Sequence, residues 1–142
     1  MKFDKATYFV AVKIFLEHQG KFLVLKDNFG DWDIPGGRIK ENEFDVPLEK
    51  IIVRKMKEEL GDSIKYKIEK PIVFMRHKRR EAVPGNPEVR IFAIGYKARY
   101  LKGGIRLSGR HTEQLWISKK TFKPEKYFKG GWLAGVREYL KN

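Results

Sequence analysis

Two adjacent carboxylates, Glu58 and Glu59, stand near the end of a predicted helix, and a glycine pair, Gly36-Gly37, follows Pro35 upstream of it. Carboxylates are the ligands that a hard cation such as Mg2+ prefers. A glycine pair after a proline makes a sharp turn whose carbonyls and amides are exposed to a ligand. Acids near a helix C-terminus oppose the helix dipole, so this pair costs stability unless a cation or a basic partner compensates. Taken alone, Lys57-Glu58-Glu59-Leu60 reads as a solvated helix face with Lys55 as a neighbour. The glycine turn and its spacing shift that reading toward a metal or phosphate site.

Other residues carry weaker chemical signals. Arg76-His77-Lys78-Arg79-Arg80 is the densest basic cluster, suited to gripping phosphates or a nucleic-acid backbone and equally to a solvated hairpin tip. No signature of stacked aromatics at fixed spacing accompanies it, which keeps RNA as the second choice of partner. Phe29 and Trp32 precede the glycine turn, where they serve either a base or sugar or the core. His18, in a turn, carries no signal.

The elements that must position these groups follow from the pattern. Tyr8 to Glu17 and Lys21 to Lys26 read as strands joined through a short glycine turn. The run Ile34-Pro35-Gly36-Gly37 excludes a helix interior and a central strand. Asp45 is the expected N-cap, with Pro47 in the first turn, of a helix running to Leu60 and closed by Gly61. Leu48, Ile51, Ile52 and Met56 share one of its faces. Two further strands are expected at Ile68 to Arg76 and Val89 to Tyr100, joined by a Pro/Gly loop over residues 82–87. A short strand at Leu115 to Ser118 follows, then a C-terminal helix opened by Gly130-Gly131 with Trp132, Leu133, Val136 and Leu140 on its apolar face. This order describes a mixed α/β domain with a sheet between helices.

At 142 residues, with 42% hydrophobic and 13% aromatic content, the chain is expected to form one domain over 1–142. The absence of cysteine excludes a disulfide scaffold, a thiolate metal site and a cysteine nucleophile. No apolar run approaches the roughly 20 residues of a membrane span, and the expected setting is soluble and cytoplasmic. The charge of +13 is unevenly placed: residues 1–62 carry 11 Lys and Arg against 12 Asp and Glu, and residues 63–142 carry 20 against 6. A basic field of that size draws in polyanions.

The stretch from Gly36 to Gly61 resembles the signature of the Nudix hydrolases, G-x5-E-x7-R-E-U-x-E-E-x-G-U, with U a bulky aliphatic residue. Gly37 and Glu43 match its opening, and Arg54, Met56, Glu58, Glu59 and Gly61 match its close. Trp32 to Gly37 is similar to the usual strand ahead of it, and His111-Thr112-Glu113-Gln114-Leu115-Trp116 to a stretch common before the last strand and helix. Three departures stand out. Ten residues separate Glu43 from Arg54 where the family has seven, Asp62 replaces an aliphatic residue, and Lys55 stands where the family has glutamate.

The resemblance implies a Nudix-fold α/β/α sandwich with a mixed β-sheet and a Mg2+-dependent hydrolase (Mn2+ as substitute) acting on a nucleoside diphosphate linked to another moiety. It implies metal ligands at the Gly37 carbonyl, Glu58 and Glu59, a Glu43–Arg54 pair tying loop to helix, and Arg54 and Glu58 in the catalytic set. His111 and Glu113 are the candidate bases; histidine titrates near neutral pH. Arg38, Lys55, Arg76 and Arg79 are the candidate phosphate-binding residues. A protonated lysine has no acceptor and cannot coordinate a cation, so Lys55 is expected to replace part of the charge of a lost metal ion. GDP-mannose mannosyl hydrolases also lack a box glutamate, which makes GDP-sugars the first substrate expectation, with ADP-ribose-like molecules and nucleoside triphosphates as the alternatives. The rival expectation is a catalytically impaired Nudix-like module that binds nucleotides or RNA. A homodimer is in keeping with the family.

Overall fold

The computed structural model describes residues 4–83 and 86–142, with the side chains of 82, 83, 86 and 87 left aside. Seven strands and two helices follow one another as β1 (Phe9–His18), β2 (Lys21–Asp27), β3 (Trp32–Asp33), β4 (Gly36–Arg38), α1 (Leu48–Leu60), β5 (Lys65–Val83), β6 (Asn86–Lys102), β7 (His111–Ser118) and α2 (Gly130–Leu140). The sheet runs β3-β2-β1-β6-β5, with β4 also on β1 and β7 also on β2. β1 and β6 pair in parallel from Phe9↔Ile91 to Glu17↔Arg99, and the other pairings are antiparallel.

The pleat of β1 divides the core in two, because successive side chains point to opposite faces. Val12, Ile14 and Leu16 face α1 and pack with Ile51, Ile52, Met56 and Leu60. Ala11 and Phe15 face α2 and pack with Met75, Val136 and Tyr139. Each of the larger aliphatic and phenylalanine side chains among them contributes roughly 1.5–3 kcal/mol of transfer free energy. Helices on both faces of a mixed sheet make the expected α/β/α sandwich.

α2 lies almost on the backbone of β5. A Cβ at Gly131 would come within 1.7 Å of the Arg76 carbonyl oxygen, and one at Gly135 within 2.3 Å of the Met75 sulfur. The two glycines, one helical turn apart, are what permit that approach.

Several boundaries differ from expectation for identifiable reasons. β5 and β6 are much longer than the strands expected at 68–76 and 89–100, because cross-strand pairing carries the basic cluster outward in ladder geometry, Arg76↔Phe92 and Lys78↔Arg90. Of the loop expected over 82–87, residues 82–83 and 86–87 belong to β5 and β6, and residues 84 and 85 lie outside the described residues. Pro47, not Asp45, is the N-cap of α1, and it offers no side-chain bond. The Val46 amide donates to the Glu43 carbonyl at 3.0 Å, so Asp45 lies in a turn ahead of the helix. His111, Thr112 and Glu113 belong to β7, since β2 extends its pairing to Asp27↔His111. Gly36–Arg38 forms a short strand on β1 despite its glycines. A Cβ at Gly36, whose φ is 139°, would meet the Val12 carbonyl oxygen at 2.0 Å, so glycine is the residue that lets this pairing form. Asp62, in place of an aliphatic residue, is exposed, and Ile64 enters the α1-side core instead.

Candidate active site

β2 pairs with β1 at Glu17 and His18, and β4 takes its place along Ala11–Lys13. Beside that divergence lies a cleft of about 590 Å³ that reaches from the end of α1 to the start of α2. Gly36, Gly37, Lys55 and Glu59 line it together with Lys13, Asp33, Trp32, Tyr127 and Trp132. Seven lysines and arginines and four carboxylates line it in all.

The tie between loop and helix forms in spite of the longer spacing. Arg54 donates from Nε and Nη2 to the two oxygens of Glu43 at 2.6 and 2.7 Å, and the Lys40 amide adds a third bond at 2.8 Å. A turn over residues 44–46, with the Val46 amide on the Glu43 carbonyl, takes up the additional length ahead of α1, and Glu43 itself is buried. The Arg54 hydrogen bonds hold the Glu43 carboxyl below its usual range.

Glu58 and Glu59 face different surroundings. Glu58 accepts from Arg54 Nη1 at 2.9 Å on one oxygen and from Lys55 Nζ at 3.2 Å on the other. Burial works to raise its pKa, and these bonds outweigh it, so the carboxyl is held below the usual range. Glu59 accepts the Gly36 N–H at 2.8 Å and opens on the cleft. Burial pushes its carboxyl up, against the opposing Gly36 bond and the charges of Lys13 and His111.

The donor set does not fit a divalent ion held jointly by Gly37, Glu58 and Glu59. Lys55 stands in the expected ligand position, both Glu58 oxygens are bonded to cationic groups, and the described residues contain no group of three His, Cys, Asp or Glu able to hold a metal.

Lys13 is a cleft residue that pattern reading passed over. It is 6% exposed, and its ammonium bonds both Asp33 oxygens at 3.0 and 3.1 Å and the Ile34 carbonyl at 3.1 Å. It also lies 5.3 Å from the centre of the Trp132 ring. A lone lysine inside the apolar run Phe9-Val10-Ala11-Val12-Lys13-Ile14-Phe15 was the available signal, since buried lysines need partners. Tyr127, Lys129, Trp132, Arg80 and Arg110 join the cleft through tertiary contacts alone.

The basic candidates are divided, with Arg79 and Arg80 on the cleft and Arg76 off it. Arg79 lines the cleft beside His77, whereas Arg76 lies across the sheet with Phe92 and does not join them. Arg38 lines the cleft with its guanidinium already paired to Glu81. Among the described residues, the wall includes Arg110 but neither His111 nor Glu113. His111 Nδ1 bonds Ser108 Oγ at 3.2 Å, and Glu113 pairs with Lys26 at 3.3 Å. Trp32 packs edge-on to Tyr127 in the cleft, while Phe29 is 91% exposed outside it.

His77 makes a pH-sensitive joint between β5 and α2. It stacks on Trp132 with ring centres 4.6 Å apart, and its Nδ1 accepts the Gly131 N–H at 3.1 Å. Burial, then the charge of Arg79, lowers its pKa from 6.5. The unfolded chain therefore takes the proton first, and stability is lost as pH falls from the unfolded value toward the folded one. Wild-type Tm should drop by a few degrees more than that of His77→Asn between about pH 7 and pH 5. Parallel melting curves would remove this assignment.

No family model and no curated protein sequence matches the chain. Solved structures do. A MutT protein from Methanosarcina mazei Go1 superposes with TM-score 0.72 at 22% identity, over 99% of this chain and 94% of that one. An ADP-ribose pyrophosphatase from Streptococcus suis 89-1591 gives 0.67 at 18%, over 95% and 91%. A MutT NUDIX hydrolase from Burkholderia pseudomallei gives 0.60 at 22%, over 83% and 88%. At such identities the likeness is one of architecture, and it agrees with the helix, turn and sheet order described above: the chain has the Nudix hydrolase fold.

Proposed function

We propose that the chain is a Nudix-type hydrolase that cleaves a nucleoside diphosphate linked to another moiety. The observation that carries this reading is the cleft itself, in which cationic side chains outnumber carboxylates and three aromatic rings share the lining with Glu59. A diphosphate needs fixed positive charge along its oxygens, and a nucleobase needs rings on which to stack. In this reading Trp32, Tyr127 and Trp132, which line the cleft, supply the rings, and the cleft-lining Lys55, Arg79 and Arg110 receive the phosphates. The fold shared with an ADP-ribose pyrophosphatase supports the substrate class.

In this reading water attacks one phosphorus, a new P–O bond forms, and the bridging P–O bond breaks to leave two phosphate esters. Glu59 takes the proton from the attacking water, because it is the carboxylate that opens on the cleft beside the glycine turn. His111 and Glu113 are not among the residues lining the cleft, although His111 is near enough for its charge to act on Glu59. The cations stabilise charge on the departing phosphate through a preorganised field.

A panel of ADP-ribose, UDP- and GDP-sugars, diadenosine tetraphosphate and nucleoside triphosphates, each with Mg2+ or with EDTA, tests this by product chromatography. At least one should yield a nucleoside monophosphate and a second phosphorylated product. Tight binding of a nucleotide with no product from any of them would replace the hydrolase with a nucleotide-binding module.

A further inference from the structure

We infer that the Lys55 ammonium is the resident cation of the cleft, standing in the place of a divalent ion and binding phosphate oxygens directly. The inference rests on the cleft being a diphosphate site, as proposed above. Three observations carry it. Lys55 projects from α1 one turn before Glu59, and its Nζ lies 3.2 Å from a Glu58 oxygen. Its tip also lies against Gly37, where a Cβ would come within 2.3 Å of Cε and 2.7 Å of Nζ. The ammonium thus sits between two of the groups that the resemblance assigns to a metal. Its side chain is only 14% exposed, and it lines the cleft. A small remaining exposure in a cleft-lining lysine is what a positioned anion ligand shows, whereas a solvated surface lysine is open along its length.

Charge makes the replacement self-consistent. Arg54 and Lys55 together neutralise Glu43 and Glu58 through the bonds already described. A doubly charged ion at bonding distance from Glu58 and the Gly37 carbonyl would lie against the ammonium and be repelled by it. A phosphate oxygen in that place is attracted instead, and it accepts a charge-assisted bond from one of the ammonium's three donors.

The test uses the full chain with two probes. Mn2+ binding, followed by electron paramagnetic resonance without phosphate, should be absent in wild type at concentrations where Lys55→Glu binds about one ion per chain. Inorganic pyrophosphate in EDTA, followed by tryptophan fluorescence or calorimetry, should bind wild type and Lys55→Arg similarly and Lys55→Met at least about tenfold more weakly. Circular dichroism confirms that each variant is folded. Equal Mn2+ binding by wild type and Lys55→Glu, or equal pyrophosphate affinity of wild type and Lys55→Met, would overturn the inference. Lys55-dependent pyrophosphate binding without turnover of any nucleotide would remove the hydrolase and leave this role standing. Turnover with no dependence of pyrophosphate binding on Lys55 would do the reverse.

Discussion

Glu59→Gln is expected to lower turnover of the best nucleotide in the panel by at least about 100-fold, the lower range of a general-base contribution, with the fold intact. Glutamine keeps the shape of the side chain and an oxygen that can accept the Gly36 N–H, so the glycine turn retains its anchor on α1. What it loses is the ability to take a proton. The stability readout should move the other way or not at all. Burial disfavours the charged carboxylate in the folded chain, so a neutral amide in its place leaves Tm unchanged or slightly higher at neutral pH. Steady-state kinetics and thermal unfolding on the same preparation check both halves. A variant with more than a tenth of wild-type turnover would remove Glu59 from the chemistry.

Asp33→Ala should cause the largest loss of stability, about 2–4 kcal/mol, because it leaves a buried lysine without its counter-ion. The side chain of Lys13 is 7% exposed and that of Asp33 is 36% exposed, so water reaches the pair from the aspartate side and moderates the cost. The Ile34 carbonyl remains as a partner for the ammonium and cannot neutralise it. For a chain of this length the corresponding fall in Tm is roughly 6–12 °C. Lys13→Met combined with Asp33→Ala should recover part of it, since the uncompensated charge is then gone. A single variant as stable as wild type in urea or thermal unfolding would show that the ammonium relaxes to solvent without cost.

The two residues illustrate where pattern reading succeeds and where it stops. Glu59 was legible because carboxylate, glycine turn and helix end fall within one local stretch, and so was its helix, whose apolar face repeats at Ile51, Ile52, Met56 and Leu60. The Glu43–Arg54 tie was legible as a pairing despite its altered spacing, since the turn over residues 44–46 takes up the difference. Asp33 was not. Its partner lies 20 positions away on β1, and the bond depends on the chain after β3 returning to that strand, where the Ile14 amide donates to the Pro35 carbonyl. The basic cluster at 76–80 was visible as charge, yet its division, with Arg79 and Arg80 on the cleft and Arg76 off it, follows from strand pairing that composition does not encode.

Local sequence specifies the mixed α/β architecture, the turn and helix that carry Glu59, and the lysine at 55. These are properties of local periodicity, glycine and proline placement, and residue chemistry, all of which act over a few neighbouring positions. Tertiary structure alone decided which residues share the cleft. It brought Lys13 to Asp33 and His77 to Trp132, left Arg76, His111 and Glu113 off the wall, and placed the Lys55 ammonium against Gly37. The physical reason is that these contacts arise from strand alternation and from the packing of both helices on one sheet, where elements distant in sequence set each side chain's neighbours.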